Sequence, residues 1–158
     1  MITLYKPTID DLHYRQSLIA DKETMSYNEK WGGAIDWSQE KWPAWAEKWL
    51  NSEENKYFYR YICDGKSGMF VGEAAFHYDE EYGMHVVSII VQAKHRGKGC
   101  GRKALSLLID EAKRLGIDRL CDDISVDNPS IQLFMRMGFN EKWRTDDIVM
   151  LVMNLKEK

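Results

Sequence analysis

Residues 91–103 read Val91-Gln92-Ala93-Lys94-His95-Arg96-Gly97-Lys98-Gly99-Cys100-Gly101-Arg102-Lys103. Apolar residues precede this stretch, and a helical pattern with Leu105, Leu108 and Ala112 on one face follows it. The pattern predicts a strand that passes through a basic, glycine-rich turn into a helix. Glycines let the backbone approach a ligand closely, and the first amides of a helix have no internal partners, so we expect an anion site here. The alternative is a solvent-exposed basic turn with ordinary glycines.

Two common phosphate-binding loops do not match this turn. A Walker A loop requires Gly-x-x-x-x-Gly-Lys followed by Ser or Thr, and that string does not occur in the chain. A Rossmann fingerprint requires a third glycine three positions after the second, where Arg102 stands, and it belongs to an early strand rather than to a late turn after antiparallel strands. Neither nucleotide-binding fold is supported.

Length and composition limit the class of protein. The chain has 158 residues, and about 150 residues make one domain, so we expect a single domain over residues 1–158. A net charge of −3 and a pI near 5.8 argue against nucleic-acid binding. Apolar runs are far shorter than the roughly 20 residues of a membrane span, and the N-terminus does not resemble a secretory signal, so we expect a cytoplasmic protein. Three scattered cysteines without a Cys-x-x-Cys pair suggest no metal site.

Hydrophobic periodicity and turn residues predict an α+β fold with the element order βααβββαβαββ. Trp42, Trp45 and Trp49 recur at helical spacing, so we expect them to pack the second helix against the sheet. The predicted strands span residues 2–6, 56–64, 69–78, 82–92, 119–126, 139–144 and 148–155, and the other predicted helices cover 8–20, the segment through Leu105 and Leu115, and 129–137.

Two motifs resemble those of a known family. Arg96-x-x-Gly99-x-Gly101 is similar to the acyl-CoA pyrophosphate motif of the GCN5-related N-acetyltransferases (GNAT). The segment 128–139, with an asparagine, a short helix and a final Gly-Phe, resembles the second signature of that family. The resemblance implies a mixed β-sheet flanked by helices and splayed between its fourth and fifth strands, with acetyl-CoA in the opening.

The resemblance also implies which residues bind the cofactor. Backbone groups of Ile89, Ile90 and Val91 would contact the pantetheine arm, and an N–H of Ile90 or Val91 would donate to the thioester oxygen. The pyrophosphate would be held by Arg96, Gly97, Lys98, Gly99, Cys100, Gly101 and Arg102, and Asn128 and Ser130 would lie beside the pantetheine and the thioester. Phe134 stands where the family usually has a tyrosine that protonates the departing thiolate.

The implied reaction needs a proton acceptor, since an alkyl amine with a pKa near 10.4 is mostly protonated at neutral pH. His85 is one candidate because it lies where some members of the family keep a carboxylate base, and Glu73 on the preceding strand is the second. The alternatives are a strand histidine without a chemical role and a carboxylate on a solvent-facing strand surface.

Tyr27, Asn28 and Trp31 do not follow the helical spacing of the other aromatic residues, and they lie where the family varies to shape its acceptor pocket. We expect them to contact the acceptor, for instance through cation–π attraction. The alternative is that these side chains brace the first two helices.

The sequence therefore predicts an N-acetyltransferase that moves an acetyl group from acetyl-CoA to a primary amine of a small molecule or peptide, by direct attack in a ternary complex. The alternative is a non-catalytic acyl-CoA-binding module or sensor of the same fold, which Phe134 favours. We expect an amine as the partner and neither nucleic acid nor a membrane, and we leave a homodimer open.

Overall fold

The computed structural model describes residues 1–27 and 33–156. Within those residues the chain forms seven strands and four α-helices in the order βααβββαβαββ, as predicted. The strands are β1 Ile2–Tyr5, β2 Tyr57–Asp64, β3 Met69–Asp79, β4 Met84–Val91, β5 Arg119–Ser125, β6 Asn140–Arg144 and β7 Ile148–Asn154, and the helices are α1 His13–Ala20, α2 Trp42–Trp49, α3 Cys100–Arg114 and α4 Ser130–Arg136. Among the described residues, no helix is long and apolar enough to cross a bilayer.

The strands form one mixed sheet in the order β1-β2-β3-β4-β5-β7-β6. β4 and β5 run parallel, whereas the other neighbouring strands are antiparallel. The β4–β5 ladder contains only the pairs His85–Leu120 and Val86–Cys121. The two strands then separate, which confirms the predicted splay between the fourth and fifth strands.

Each face of the sheet carries its own hydrophobic core. On the face that we call the α3 face, side chains such as Phe76 and Val87 pack with α3 and with Phe134 of α4. On the opposite face, called the α2 face, Tyr59 and Tyr61 pack with α1 and α2. Because successive side chains of a strand point to opposite faces, the parity of a residue decides which core it joins.

The tryptophans of α2 pack as predicted. The ring of Trp45 lies 4.7 Å from that of Tyr59, and the ring of Trp49 lies 4.9 Å from that of Tyr57. Pro43 lies in the first turn of α2. The N–H groups of a first turn have no acceptor within the helix, so a proline there costs no hydrogen bond and does not interrupt the helix.

The first helix begins later than predicted. A 3-10 turn over Ile9–Asp11 follows Thr8, and α1 starts only at His13. The Asp11 carboxylate accepts the backbone N–H of Thr8 and the hydroxyl of Tyr5, at 2.9 and 2.8 Å. These bonds close a tight turn in place of the first turn of an α-helix.

Gly72 permits a close approach of β3 to β4. It pairs with Val91, and a Cβ atom at this position would lie only 2.1 Å from the backbone oxygen of Ile90. We expect Gly72→Ala to destabilise the fold by about 1–3 kcal/mol, the usual cost of overpacking, in urea unfolding. Gly101→Ala is the control, since its new methyl would meet Val91 Cγ2 at 3.6 Å. Equal unfolding midpoints for the two variants would contradict this account of Gly72.

Candidate functional site

A cavity of about 810 Å³ opens where β4 and β5 separate. Its size lies in the usual range for small-molecule sites. Its walls are β4, β5, the glycine turn before α3, the first turn of α4 and residues of the segment 24–27. Except for Lys98, every residue predicted to bind the cofactor lines this cavity.

One wall of the cavity is a free backbone edge. β4 pairs with β3 along its whole length, but on its other edge only His85 and Val86 pair with β5. Backbone groups of successive residues point to opposite edges of a strand, and Gln92 donates its N–H to Val71 on the β3 side, so Val87, Ile89 and Val91 direct unpaired N–H and C=O groups towards the cavity. An extended ligand arm with amide groups fits this edge as an added strand would.

The glycine turn lies at the other end of β4. Gly97 and Gly99 have φ angles of 79° and 83°, a left-handed conformation that glycine adopts without strain. Gly99 is the N-cap of the 15-residue helix α3, and a Cβ atom at either glycine would meet no atom within 4 Å. The first amides of α3 and the helix dipole give this end of the cavity, which we call the anion end, the chemistry that suits an anion.

Arg96 connects this turn to the segment 23–27. Its guanidinium donates to the backbone carbonyls of Glu23 and Thr24 and lies 5.3 Å from the ring of Tyr27. The buried Thr24 hydroxyl in turn accepts the backbone N–H of Ala93, at 3.0 Å. We call these contacts the Arg96 brace. In this structure the guanidinium that was predicted to bind the pyrophosphate is therefore hydrogen-bonded within the protein, although Arg96 also lines the cavity.

The second signature forms the opposite wall. Asn128 Oδ1 accepts the backbone N–H of Ser130 at 2.9 Å and thereby holds the start of α4. Phe134 is buried, with its ring 4.9 Å from that of Phe139. A phenyl ring has no acidic proton, so this position supplies no general acid.

The two predicted bases lie outside the cavity lining. His85 is on the α3 face, where its Nε2 is 2.7 Å from the backbone oxygen of Asn55. Glu73 is buried on the α2 face, accepts the hydroxyl of Tyr59, and lies 3.2 Å from Arg15 Nε. His85 is therefore apart from the predicted cofactor residues. Glu73 pairs with Ile90 in the β3–β4 ladder, but its carboxylate is buried against Tyr59 and Arg15 and does not line the cavity.

The environment of Glu73 comes from elements far away in the sequence. The Arg15 guanidinium lies 4.6 Å from the ring centres of both Trp37 and Trp45. This aromatic enclosure and the ion pair make Glu73 part of the α2-face core.

Sequence reasoning missed four polar residues at the closed end of the cavity, where the β4–β5 ladder stops. They are His77, Asp79, Tyr82 and Asp123. The Tyr82 hydroxyl donates to Asp123 at 3.0 Å, and burial followed by this bond raises the pKa of Tyr82 to about 12. Strand alternation was the signal in the sequence that could have found His77. His77 and Glu73 are four residues apart on β3, so their side chains lie on the same face of the sheet.

Of the predicted acceptor residues, Tyr27 is exposed and lines the cavity beside Met25. Asn28 and Trp31 lie outside the described residues. Among the residues that the structure does describe, no group of three His, Cys, Asp or Glu side chains could hold a metal ion.

Residues 2–140 match the family model of the acetyltransferase (GNAT) domain, so the chain belongs to this family. A 91-residue segment is 41% identical to the L-methionine sulfoximine/L-methionine sulfone acetyltransferase of Salmonella typhimurium. The match covers 57% of this chain and 48% of that relative, about half its length.

Solved structures show the same fold. yncA of Salmonella typhimurium, solved with its cofactor acetyl-CoA, is 23% identical with a TM-score of 0.78, and the match covers 100% of this chain and 96% of that chain. Spermidine N-acetyltransferase from Vibrio cholerae, in complex with CoA and spermine, is 18% identical with a TM-score of 0.81, and the coverage is 98% and 95%. The GNAT fold is therefore shared over almost the whole chain.

The Arg96 brace makes a prediction about stability. Arg96→Ala removes two hydrogen bonds from a charged donor, each worth about 1.5–3 kcal/mol, so we expect a lower melting temperature and faster proteolytic cleavage near residue 24. Arg102→Ala is the matched control because Arg102 lines the same cavity but is exposed. The brace has no structural role if both variants melt and are cleaved like the wild type.

Proposed function

We propose that the protein is an acetyl-CoA-dependent N-acetyltransferase acting on a small primary amine. The observation that carries this proposal is the continuity of one cavity, which reaches from the glycine turn along the free edge of β4 to the polar closed end. Such a cavity has room for an acyl donor and an acceptor at the same time, as direct transfer in a ternary complex requires.

The residues present fit acetyl-CoA. The free backbone groups of residues 87–91 suit the amides of the pantetheine arm, and the amides at the start of α3 suit the pyrophosphate. Arg102 adds positive charge at the same end of the cavity. Of the two predicted donors, Ile90 directs its N–H to β3, so we assign the thioester oxygen to the backbone N–H of Val91, which would stabilise the negative charge that develops during attack.

Acetyl-CoA supplies an activated acyl group, and the chain has to position the amine and manage its proton. The amine nitrogen forms a bond to the thioester carbon, and the C–S bond breaks. Since Phe134 has no proton to donate, the sulfur leaves as a thiolate, which an ordinary thiol pKa near 8.5 makes feasible. The acylated nitrogen loses its extra proton to become an amide, and the departing thiolate takes a proton from solvent.

The acceptor enters from the α2 face in this proposal. Tyr27 lines the cavity, with the Arg96 guanidinium 5.3 Å from its ring on one side, and the other side of the ring offers a cation–π contact worth about 0.5–2 kcal/mol to an ammonium group. Asp79 and Asp123 at the closed end add negative potential that favours a cationic amine. Asn28 and Trp31, in the same stretch of sequence as Tyr27, remain predicted acceptor contacts. The acceptors named for the relatives, methionine sulfoximine and spermidine, support a small molecule rather than a peptide.

A non-catalytic acyl-CoA-binding module is the second candidate. Phe134 favours it because a hydroxyl is missing at the position of the usual general acid. The positions of His85 and Glu73 outside the cavity lining agree with this candidate as well. Both functions require acetyl-CoA to bind, but only the enzyme releases free thiol.

The cofactor assignment predicts a size limit at Gly101. A Cβ atom there would lie 3.6 Å from Val91 Cγ2 and 3.7 Å from Leu133 Cδ2, so the branched side chain of Gly101→Val has to extend into the cavity. We expect at least tenfold weaker CoA binding by calorimetry, about 1.4 kcal/mol. Gly101→Ala should bind CoA almost as the wild type does. Wild-type affinity in a folded Gly101→Val variant would place the cofactor elsewhere.

The decisive test of the function is an amine panel. We expect free thiol to be released from acetyl-CoA when the protein is offered methionine sulfoximine, methionine sulfone, spermidine or spermine. Thiol release is measured colorimetrically, with calorimetric CoA binding as the parallel control. CoA binding without thiol release from any of these amines would support the binding module instead.

A further inference from the structure

We propose that His77 is the proton acceptor for the incoming amine, which it reaches through water along the α2 face of β4. This inference rests on the proposed function and names a residue for a step that the two sequence-predicted bases are not placed to perform. The observations that carry it are the register of the strands, the packing of the imidazole and its position in the cavity lining.

The register places His77 beside the point where the sheet opens. His77 pairs with Val86, and Val86 pairs with Cys121 in the last rung of the β4–β5 ladder. Residues directly opposite each other in neighbouring strands point to the same face, about 5 Å apart. His77 therefore points to the α2 face, as Ala75 of the same strand does.

A polar path leads from His77 towards the thioester position. Ser88 is the next residue of β4 on the α2 face, is exposed, and lines the cavity between Val86 and Ile90. A strand rises by about 3.3 Å per residue, so Ser88 lies roughly midway between the level of His77 and the level of Ile90. The level of Ile90 lies four residues, roughly 13 Å, beyond that of His77, so a relay of about four water molecules that passes the Ser88 hydroxyl spans the distance.

The imidazole of His77 is held in a fixed orientation. Its ring is nearly parallel to that of Tyr57, with centroids 5.9 Å apart and an interplanar angle of 10°. The ring of Trp49 meets it edge-on at 5.5 Å. These contacts leave the side chain half-buried, with part of its surface in the cavity lining.

The surroundings keep the imidazole neutral and ready to accept a proton. Burial is the main cause that lowers the pKa of His77 below the ordinary value of 6.5, and Lys48 of α2 and His85 of β4 act in the same direction. Asp79 and Asp123 oppose this shift, and they would stabilise the imidazolium once it forms. Tyr57 faces the ring from β2 as a neutral stacking partner.

The other imidazoles are less well placed. His95 also lines the cavity, but it belongs to the glycine turn at the anion end, beside Lys94 and Lys98. His85 points to the α3 face, and its Nε2 contacts the backbone of Asn55.

The proton balance of the step is complete. The ammonium gives one proton through water to a ring nitrogen of His77, and the amine nitrogen then forms the N–C bond while the C–S bond breaks. The acylated nitrogen still carries one proton more than an amide and loses this second proton to solvent. The imidazolium returns its proton to solvent through the open cavity after acyl transfer, and the thiolate takes up one proton, so one proton is released for each acetyl group transferred.

The test compares pH profiles of kcat/KM for the amine of the panel that the wild type acetylates fastest. We expect the wild-type value to rise with pH and to level off above a midpoint below 6.5, as the imidazole loses its proton. His77→Gln should be at least tenfold slower at pH 7 and should lack this limb, with KM for acetyl-CoA retained. Added imidazole should restore part of the rate of His77→Ala. His13→Gln, which removes an exposed imidazole of α1, is the matched control.

Three outcomes would overturn the inference without touching the proposed function. These are a His77→Gln profile that keeps the wild-type limb, a limb that disappears in His85→Gln instead, and a wild-type His77 ring signal that titrates above pH 7 by NMR. The NMR titration uses the wild type alone, with the His77 ring signal assigned through its own backbone resonances, so it also decides if His77→Gln does not fold. If the wild type acetylates no amine although it binds CoA, the proposed function and this inference fall together.

Discussion

The parallel ladder between β4 and β5 stops after two residue pairs, and the site depends on this interruption. A buried backbone group without a partner costs about 1–3 kcal/mol, so a folded chain rarely leaves one edge of an internal strand unpaired. Here residues 87–91 keep their free edge because β4 is held from its other side, where Gly72 lets β3 approach closely. The backbone groups of β4 that do not pair with β5 are available to a ligand. The helix α3 begins just beyond the end of β4, and its first turn suits an anionic group of that ligand.

Local features of the site could be predicted from the sequence, because they depend on neighbouring residues. The glycine turn is one example, since the left-handed φ angles of Gly97 and Gly99 and the start of α3 lie within a few residues of each other. The element order is another, because amphipathic periods and turn residues are local signals. The helical spacing of Trp42, Trp45 and Trp49 likewise predicted the packing of α2 correctly.

Side-chain direction could not be predicted in the same way. Arg96 bonds to carbonyls more than 70 residues earlier in the chain, and no local pattern indicates such a partner. Glu73 faces Arg15 of α1, whose position follows only from the packing of the whole α2-face core. For His85 the face follows from its parity along a continuous β4–β3 ladder, and a single bulge would have reversed it. The same parity argument places His77 on the α2 face.

The Arg96 brace has a consequence for how such a protein changes over time. Arg96 binds the backbone oxygens of residues 23 and 24, so its bonds do not depend on which side chain stands at position 23. Thr24 is different, since its hydroxyl accepts the N–H of Ala93 and few other side chains could replace it. Substitutions next to Thr24 can therefore alter the part of the cavity lining formed by residues 25–27 while the glycine turn keeps its shape. Under the proposed function, a lineage with this arrangement can exchange one amine for another and still inherit its acyl donor unchanged.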